Sequence, residues 1–254
     1  MDNRILDMVS SPADLKLLTN EELSILAQEV REEIVTTASQ TGGHVASSLG
    51  AVEIILALHS MLDCPHDKIV FDVGHQAYAH KLITGRLDDF GTLRTYGGLS
   101  GFPKPDESPY DVHPSGHASD SLSVALGLAQ ARELSGGDEK IVAVIGDAAL
   151  SGGMAFEALN HIGQAQTPMV IILNDNEMSI SRNVGALMKH LGYMRATPQY
   201  RQTRAGGARE QRGFRQRACE LRTQREGVDE AVRHPALDDF RTAGHPVHGA
   251  HRRS

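Results

Sequence analysis

The sequence predicts an α/β fold: a mostly parallel sheet with helices on both faces, followed by an unstructured C-terminal tail. Three observations predict it. Short apolar runs, "KIVFDV", "KIVAVIG" and "PMVIILN", alternate with helix-like stretches. The clearest such unit is strand, helix "SGGMAFEALNHIG", strand, the order of a parallel sheet built with right-handed crossovers. Composition then changes abruptly after residue 200, from 7 Arg, 6 Lys and 25 acids to 12 Arg, no Lys and 7 acids.

Taken in order, "TNEELSILAQEVREEIVTTAS" carries a capping-box pair, Thr19 and Glu22, before Leu23, Leu26, Val30 and Ile34 at helical spacing. "TGGHVASSLG" is a Gly/Ser loop, and "AVEIILALHSML" predicts a buried helix. Residues 68–73 read as a strand. Residues 87–115 are irregular and rich in Gly, Pro and Ser, a length of loop that is functional or mobile in compact domains. "SDSLSVALGLAQAREL" predicts a helix with Leu122, Ala125, Leu126 and Leu128 on its apolar side.

The whole chain has 254 residues, 40% hydrophobic, with a net charge of −7. Its longest apolar stretch is too short for a membrane span. The N-terminus has acids where a signal peptide needs a basic end. The two cysteines, Cys64 and Cys219, lie far apart and read as free thiols. A cytoplasmic protein without membrane partners is the expectation. Residues 201–254 have no Ile and only five Val plus Leu, too few for a core.

Chemistry concentrates where strands end, because ligands of parallel sheets gather at the strands' carboxyl ends. Asp147 ends one strand and Asn174, Asp175 and Asn176 end the next. The 29-residue separation of Asp147 and Asn176 suits one strand–helix–strand unit, which sets a carboxylate beside an amide oxygen. Such a pair suits Mg²⁺, whose other ligands come from phosphate and water. A helix N-terminus after Gly146-Asp147 adds N–H groups for a diphosphate. Asp and Asn at strand ends serve equally as turn and cap residues.

"GDAALSGGMAFEALNH…NDNEMSIS" resembles the thiamine-diphosphate motif. "SPADLKLL", "TGGHVASSLGAVEIILALH", "FDVGHQAYAHKLITGR", "GGLSGFPKPDESPYDV", "SGHASDSLSVALG" and "NDNEMSISRNVGAL" resemble 1-deoxy-D-xylulose-5-phosphate synthase, in order from about residue 5 to about 203. The resemblance implies a thiamine-diphosphate-dependent transferase with Mg²⁺. Its reaction condenses pyruvate with glyceraldehyde 3-phosphate, with loss of CO₂, for isoprenoid and thiamine precursors; the intact family forms homodimers. It further implies that Asp147, Asn176 and the Met178 carbonyl hold the metal. Ala148, Ala149, Gly116, His117, Ala118 and His75 lie against the cofactor, and His44 faces the substrate. His44 and His75 are the implied catalytic residues, since proton transfer near neutral pH suits imidazole. His80 is matched only weakly and reads equally as a packed or a solvent-facing residue.

Two positions depart from the family. Ala148 stands where the motif has Gly, a costly change if the backbone needs φ > 0 or a phosphate approaches closely, and a mild one if the backbone is ordinary. Asp120 stands where a neutral residue is usual; it either repels a diphosphate or caps the following helix. Family members are more than twice as long, and a later domain supplies the Glu that activates the cofactor, so this chain alone is expected to be inactive. The rivals are the N-terminal half of a split transketolase and a non-catalytic remnant.

Residues 1–204 are thus expected to form the cofactor domain and 205–254 a tail of shifted reading frame. "HPVHGAHRR" (245–253) permits codons that, read one nucleotide later, give Ile-Arg-Tyr-Met-Gly-Pro-Ile-Asp-Gly, similar to a signature of the family. On that reading the arginines carry no implication of nucleic acid.

Overall fold

The computed structural model describes residues 4–174 and the short strand Val247–His248. These residues belong to one compact unit, residues 1–180 with 234–254; the second unit, residues 181–233, lies outside the described residues.

A capped turn, α1 (Pro12–Leu15), leads to the long helix α2 (Asn20–Thr41). Thr19 and Glu22 form the expected capping box: the Glu22 carboxylate accepts from the Thr19 N–H at 2.7 Å, and the Thr19 hydroxyl accepts from the Glu22 N–H at 3.3 Å. The buried stripe of α2 includes Leu23, Leu26, Val30 and Ile34. Next come α3 (Val45–Leu49) and the almost wholly buried α4 (Val52–Met61).

Three parallel strands follow, β1 (Lys68–Phe71), β2 (Ile141–Gly146) and β3 (Val170–Asn174), paired in that order. Between β1 and β2 run α5 (Tyr78–Ile83), the irregular segment, and α6 (Ser121–Ser135). Between β2 and β3 run the turn α7 (Asp147–Leu150) and α8 (Gly153–Ala165). Val247–His248 forms β4, antiparallel to β3. These two residues fall within the segment expected to be unstructured; the rest of that segment lies outside the described residues.

Strand side chains alternate between faces, and each face has its own cover. Ile69, Phe71, Val142, Val144 and Ile172 share one core with α2, α4 and α5. The intervening Val70, Ala143 and Ile145 are equally buried, and α6 lies against β1 and β2 with Leu122, Ala125, Leu126 and Ala129 buried. Helices therefore cover both faces, as the alternating apolar runs predict.

β1 stops two residues short of the expected 68–73 because the chain turns left-handed, with φ of 59° at Val73 and 81° at Gly74. A Cβ on Gly74 would lie 2.5 Å from Pro103 Cδ, so only glycine fits there. Propensity for extended backbone at Val73 is overridden by these contacts.

The long segment after α5 has only one short helical turn, Phe90–Thr92, and is fastened by buried charge. Asp111 accepts from Arg86 Nη1 at 2.7 Å, Arg86 Nη2 at 2.8 Å, His80 Nε2 at 2.9 Å and the Lys104 N–H at 2.7 Å. Lys81 donates to Glu107 at 2.5 Å, and Glu107 accepts from the Ser100 N–H at 2.7 Å. Burial pushes the Asp111 carboxyl up, but the hydrogen bonds from His80 and Arg86 outweigh it and hold the group well below the ordinary range.

An ionised Asp111 can only accept, so His80 Nε2 carries a proton. Burial keeps His80 below its usual pKa, and hence neutral at pH 7, with Nδ1 as an acceptor 2.8 Å from His59 Nε2. His59, fully buried, is held well below the ordinary value of 6.5 by burial, then by His80. Both histidines fold neutral, whereas the unfolded chain protonates them near pH 6.5. As pH falls below 6.5 the unfolded state binds protons that the folded state refuses, so stability declines. The steepest slope is about 1.4 kcal/mol per pH unit for each histidine. Urea unfolding at pH 7.5 and 5.5 measures this directly; equal stabilities would refute neutral folding of the pair.

Candidate cofactor site at the strand ends

The carboxyl ends of the three parallel strands present Asp72, Gly146-Asp147 and Asn174. Gly146 ends β2 directly opposite Asn174 in register. Asp147 opens α7, with Gly146 extended before it at φ −80°, ψ 158°. Ala148 and Ala149 follow inside the helical turn, and neither has positive φ. The backbone at 148 therefore needs no glycine, and the Ala148 methyl group lies on an exposed helical position. A single helical turn then leads to Gly152, which precedes α8 with no side chain capping it. Asn174 Oδ1 is buried and has no hydrogen-bond partner. Asn176 and Met178 lie outside the described residues.

Beside them runs the segment 116–121. Gly116 has φ of 143°, and a Cβ there would meet nothing within 4 Å, leaving open space over the backbone. His117 and Ala118 are exposed. The His117 carbonyl accepts from the Val73 N–H at 3.2 Å. Asp120 occupies the N-cap of α6, but its side chain makes no capping bond. It faces His113 instead, with Oδ2 3.3 Å from Nε2, and its Oδ1 is buried without a partner. Capping passes to a residue that the sequence does not single out: Asp72, buried after β1, accepts from the Ser121 N–H at 3.2 Å and the Ser121 hydroxyl at 2.7 Å.

The structure brings His44 and His75 together. Their rings meet edge to face with centroids 5.5 Å apart, and Phe102 lies 6.3 Å from His44. The His44 N–H donates to the Tyr78 hydroxyl at 3.3 Å, fixing the start of α3. His75 is half-buried, and burial, then His44, lowers its pKa, leaving it neutral at pH 7. Its buried Nδ1 has no hydrogen-bond partner. His80 belongs to the buried network and is structural. Tyr78 and Phe102 join the site without being singled out in the sequence, whereas Asn174 is read there as a strand-end residue but not as a ligand.

Residues 6–241 match the family described as 1-deoxy-D-xylulose-5-phosphate synthase. The chain belongs to this family. Relatives bearing the synthase name include one from Carboxydothermus hydrogenoformans, 60% identical over 196 residues, covering 77% of this chain and 32% of the relative. One from Thermus thermophilus is 63% identical over 186 residues, 73% of this chain and 30% of the relative. A synthase 2 from Geobacter sulfurreducens is 62% identical over 189 residues, 74% of this chain and 30% of the relative. The chain thus spans about a third of the length of these synthases. No helix among the described residues is long and apolar enough to cross a membrane.

Proposed function

We propose that this domain binds thiamine diphosphate through Mg²⁺ and serves as the N-terminal part of a 1-deoxy-D-xylulose-5-phosphate synthase, a cytoplasmic, dimeric transferase. The proposed reaction joins pyruvate to glyceraldehyde 3-phosphate with loss of CO₂, toward isoprenoid and thiamine precursors. The observation that carries the reading is the facing of Gly146 and Asn174 at the carboxyl edge of a parallel sheet, in a chain of this family.

The described residues fit such a ligand. An orphaned amide oxygen at Asn174, open space at Gly116 and the uncapped start of α8 all offer room or polarity for a metal-bound diphosphate. In this proposal Asp147, Asn176 and the Met178 carbonyl hold Mg²⁺. Gly116, His117, Ala118, Ala148 and Ala149 line the cofactor. Thiamine diphosphate supplies a nucleophilic carbon for the ketoacid carbonyl. His75, neutral at pH 7, accepts a proton at a ring nitrogen, and the exposed His44 beside it faces the substrate. The division near residue 204, with a tail of shifted frame after it, is part of the same proposal and rests on the Arg-rich composition.

Calorimetric titration with thiamine diphosphate, with and without Mg²⁺, tests the reading. Binding that requires Mg²⁺ is expected, and Ala148→Gly is expected to bind within about twofold of the parent chain, since the backbone there needs no glycine. No heat under either condition would remove the proposal.

A further inference from the structure

We infer that Asp72 is a positioning residue that holds two strand-end segments, 117–121 and the α7 turn, in a single arrangement for the cofactor. The inference rests on the cofactor reading above. Asp72 is 1% exposed just past β1, and its backbone is anchored: its N–H donates to the Val144 carbonyl of β2 at 2.8 Å, and its carbonyl accepts from Gln76 Nε2 at 3.1 Å. Its carboxylate reaches outward. Oδ1 accepts from the Ser119 N–H at 2.9 Å, while Oδ2 accepts from the Ser121 hydroxyl at 2.7 Å and the Ser121 N–H at 3.2 Å.

From there the chain of contacts continues to the next strand end. The Ser119 hydroxyl donates to the Ala149 carbonyl at 2.7 Å, linking the segment to the turn that carries Asp147 and Ala148. A Cβ on Gly152 would overlap that hydroxyl, so the following residue of the loop is shaped around it. On the other side the Val73 N–H donates to the His117 carbonyl at 3.2 Å. One buried carboxylate thus connects the end of β1, the segment bearing Gly116, His117 and Ala118, and the loop after β2.

Two details favour a brace under load over an ordinary helix cap. Val73 and Ser119 both adopt positive φ, 59° and 76°, unfavourable for residues with a Cβ and above all for a β-branched one. Such conformations persist only where the surroundings over-determine them, and Asp72 bonds directly to Ser119 and adjoins Val73. Secondly, three donors converge on the side chain. A carboxylate accepts from all three, whereas an amide has one acceptor oxygen and sets its NH₂ against either the Ser119 N–H or the Ser121 N–H.

Asp67 supplies the control. It is 2% exposed at the opposite end of β1, accepting from the Lys140 N–H at 2.7 Å and the Asp63 N–H at 2.8 Å. Asp72→Asn, Ser121→Ala and Asp67→Asn, each in the full 254-residue chain, are compared by hydrogen exchange without ligand and by titration with thiamine diphosphate and Mg²⁺. Asp72→Asn is expected to speed exchange at the amides of 117–121 and 149–152 about tenfold or more, and to weaken binding tenfold or more. Ser121→Ala should shift both in the same direction by less, and it keeps the comparison if Asp72→Asn does not fold. Asp67→Asn should lose stability while leaving binding and strand-end exchange unchanged. Equal weakening by Asp67→Asn and Asp72→Asn, or unchanged exchange at 117–121 in Asp72→Asn, would overturn the inference. If the parent chain binds no thiamine diphosphate, the cofactor reading falls, and the exchange arm alone decides the brace.

Discussion

Asp111→Ala is expected to destabilise the domain by about 3–5 kcal/mol, lowering the melting temperature by roughly 10 °C or more. Arg86 is 6% exposed and Lys81 is fully buried, so removing the carboxylate leaves both cations in the interior with Glu107 as their remaining acidic neighbour. The Lys104 N–H and His80 Nε2 lose their acceptor at the same time. Breaking a buried pair from one side costs far more than the pair contributes when intact, because the remaining charge cannot return to water. Asp111→Asn keeps the shape and one acceptor oxygen, and should lie between the two. Denaturant unfolding followed by circular dichroism reads the difference; a loss under about 1 kcal/mol for Asp111→Ala would show that the cations reach water without the carboxylate.

The second large effect is on ligand affinity. With Asp147 holding Mg²⁺ as proposed, Asp147→Ala is expected to weaken Mg²⁺-dependent binding of thiamine diphosphate by about 100-fold or more, since even residues behind a metal's own ligands cost 10–100-fold. The side chain opens α7 immediately after β2, the position where a carboxylate meets both the strand edge and the helix turn. Asp147→Asn retains an oxygen ligand but no charge, and should bind more tightly than the alanine variant. Isothermal titration at fixed Mg²⁺ distinguishes the three proteins. Equal affinities for Asp147→Ala and the parent would place the metal elsewhere and return the strand-end acid to a structural role.

Much of this arrangement was legible in the sequence, for reasons that are local. The Thr19–Glu22 box and the stripe from Leu23 to Ile34 announce α2 because helix caps and helical spacing act within a few residues. The three parallel strands follow from apolar runs of strand length separated by helices. The resemblance singled out His44 and His75 separately, and no spacing rule announces that their rings meet.

What escaped was non-local. Asp72 meets Ser121 across 49 residues, and Arg86 meets Asp111 across 25; neither pair leaves a periodic signal. Asp120 sits where a cap belongs, yet the helix takes its acceptor from Asp72, which no window around α6 contains. At Ala148 the sequence leaves two costs open, positive φ and close approach of a phosphate; the helical turn of α7 answers the first.

The hydrogen-bonded line from Asp111 through His80 to His59 has one more consequence. Its two imidazole protons, on His80 Nε2 and His59 Nε2, lie on rings that are 1% and 0% exposed and can meet bulk water only when the loop lifts from the helices. Nitrogen-bound ring protons so sheltered exchange slowly enough to be followed by magnetic resonance. The domain therefore carries a clock of its own, two protons whose lifetimes count how often its interior opens.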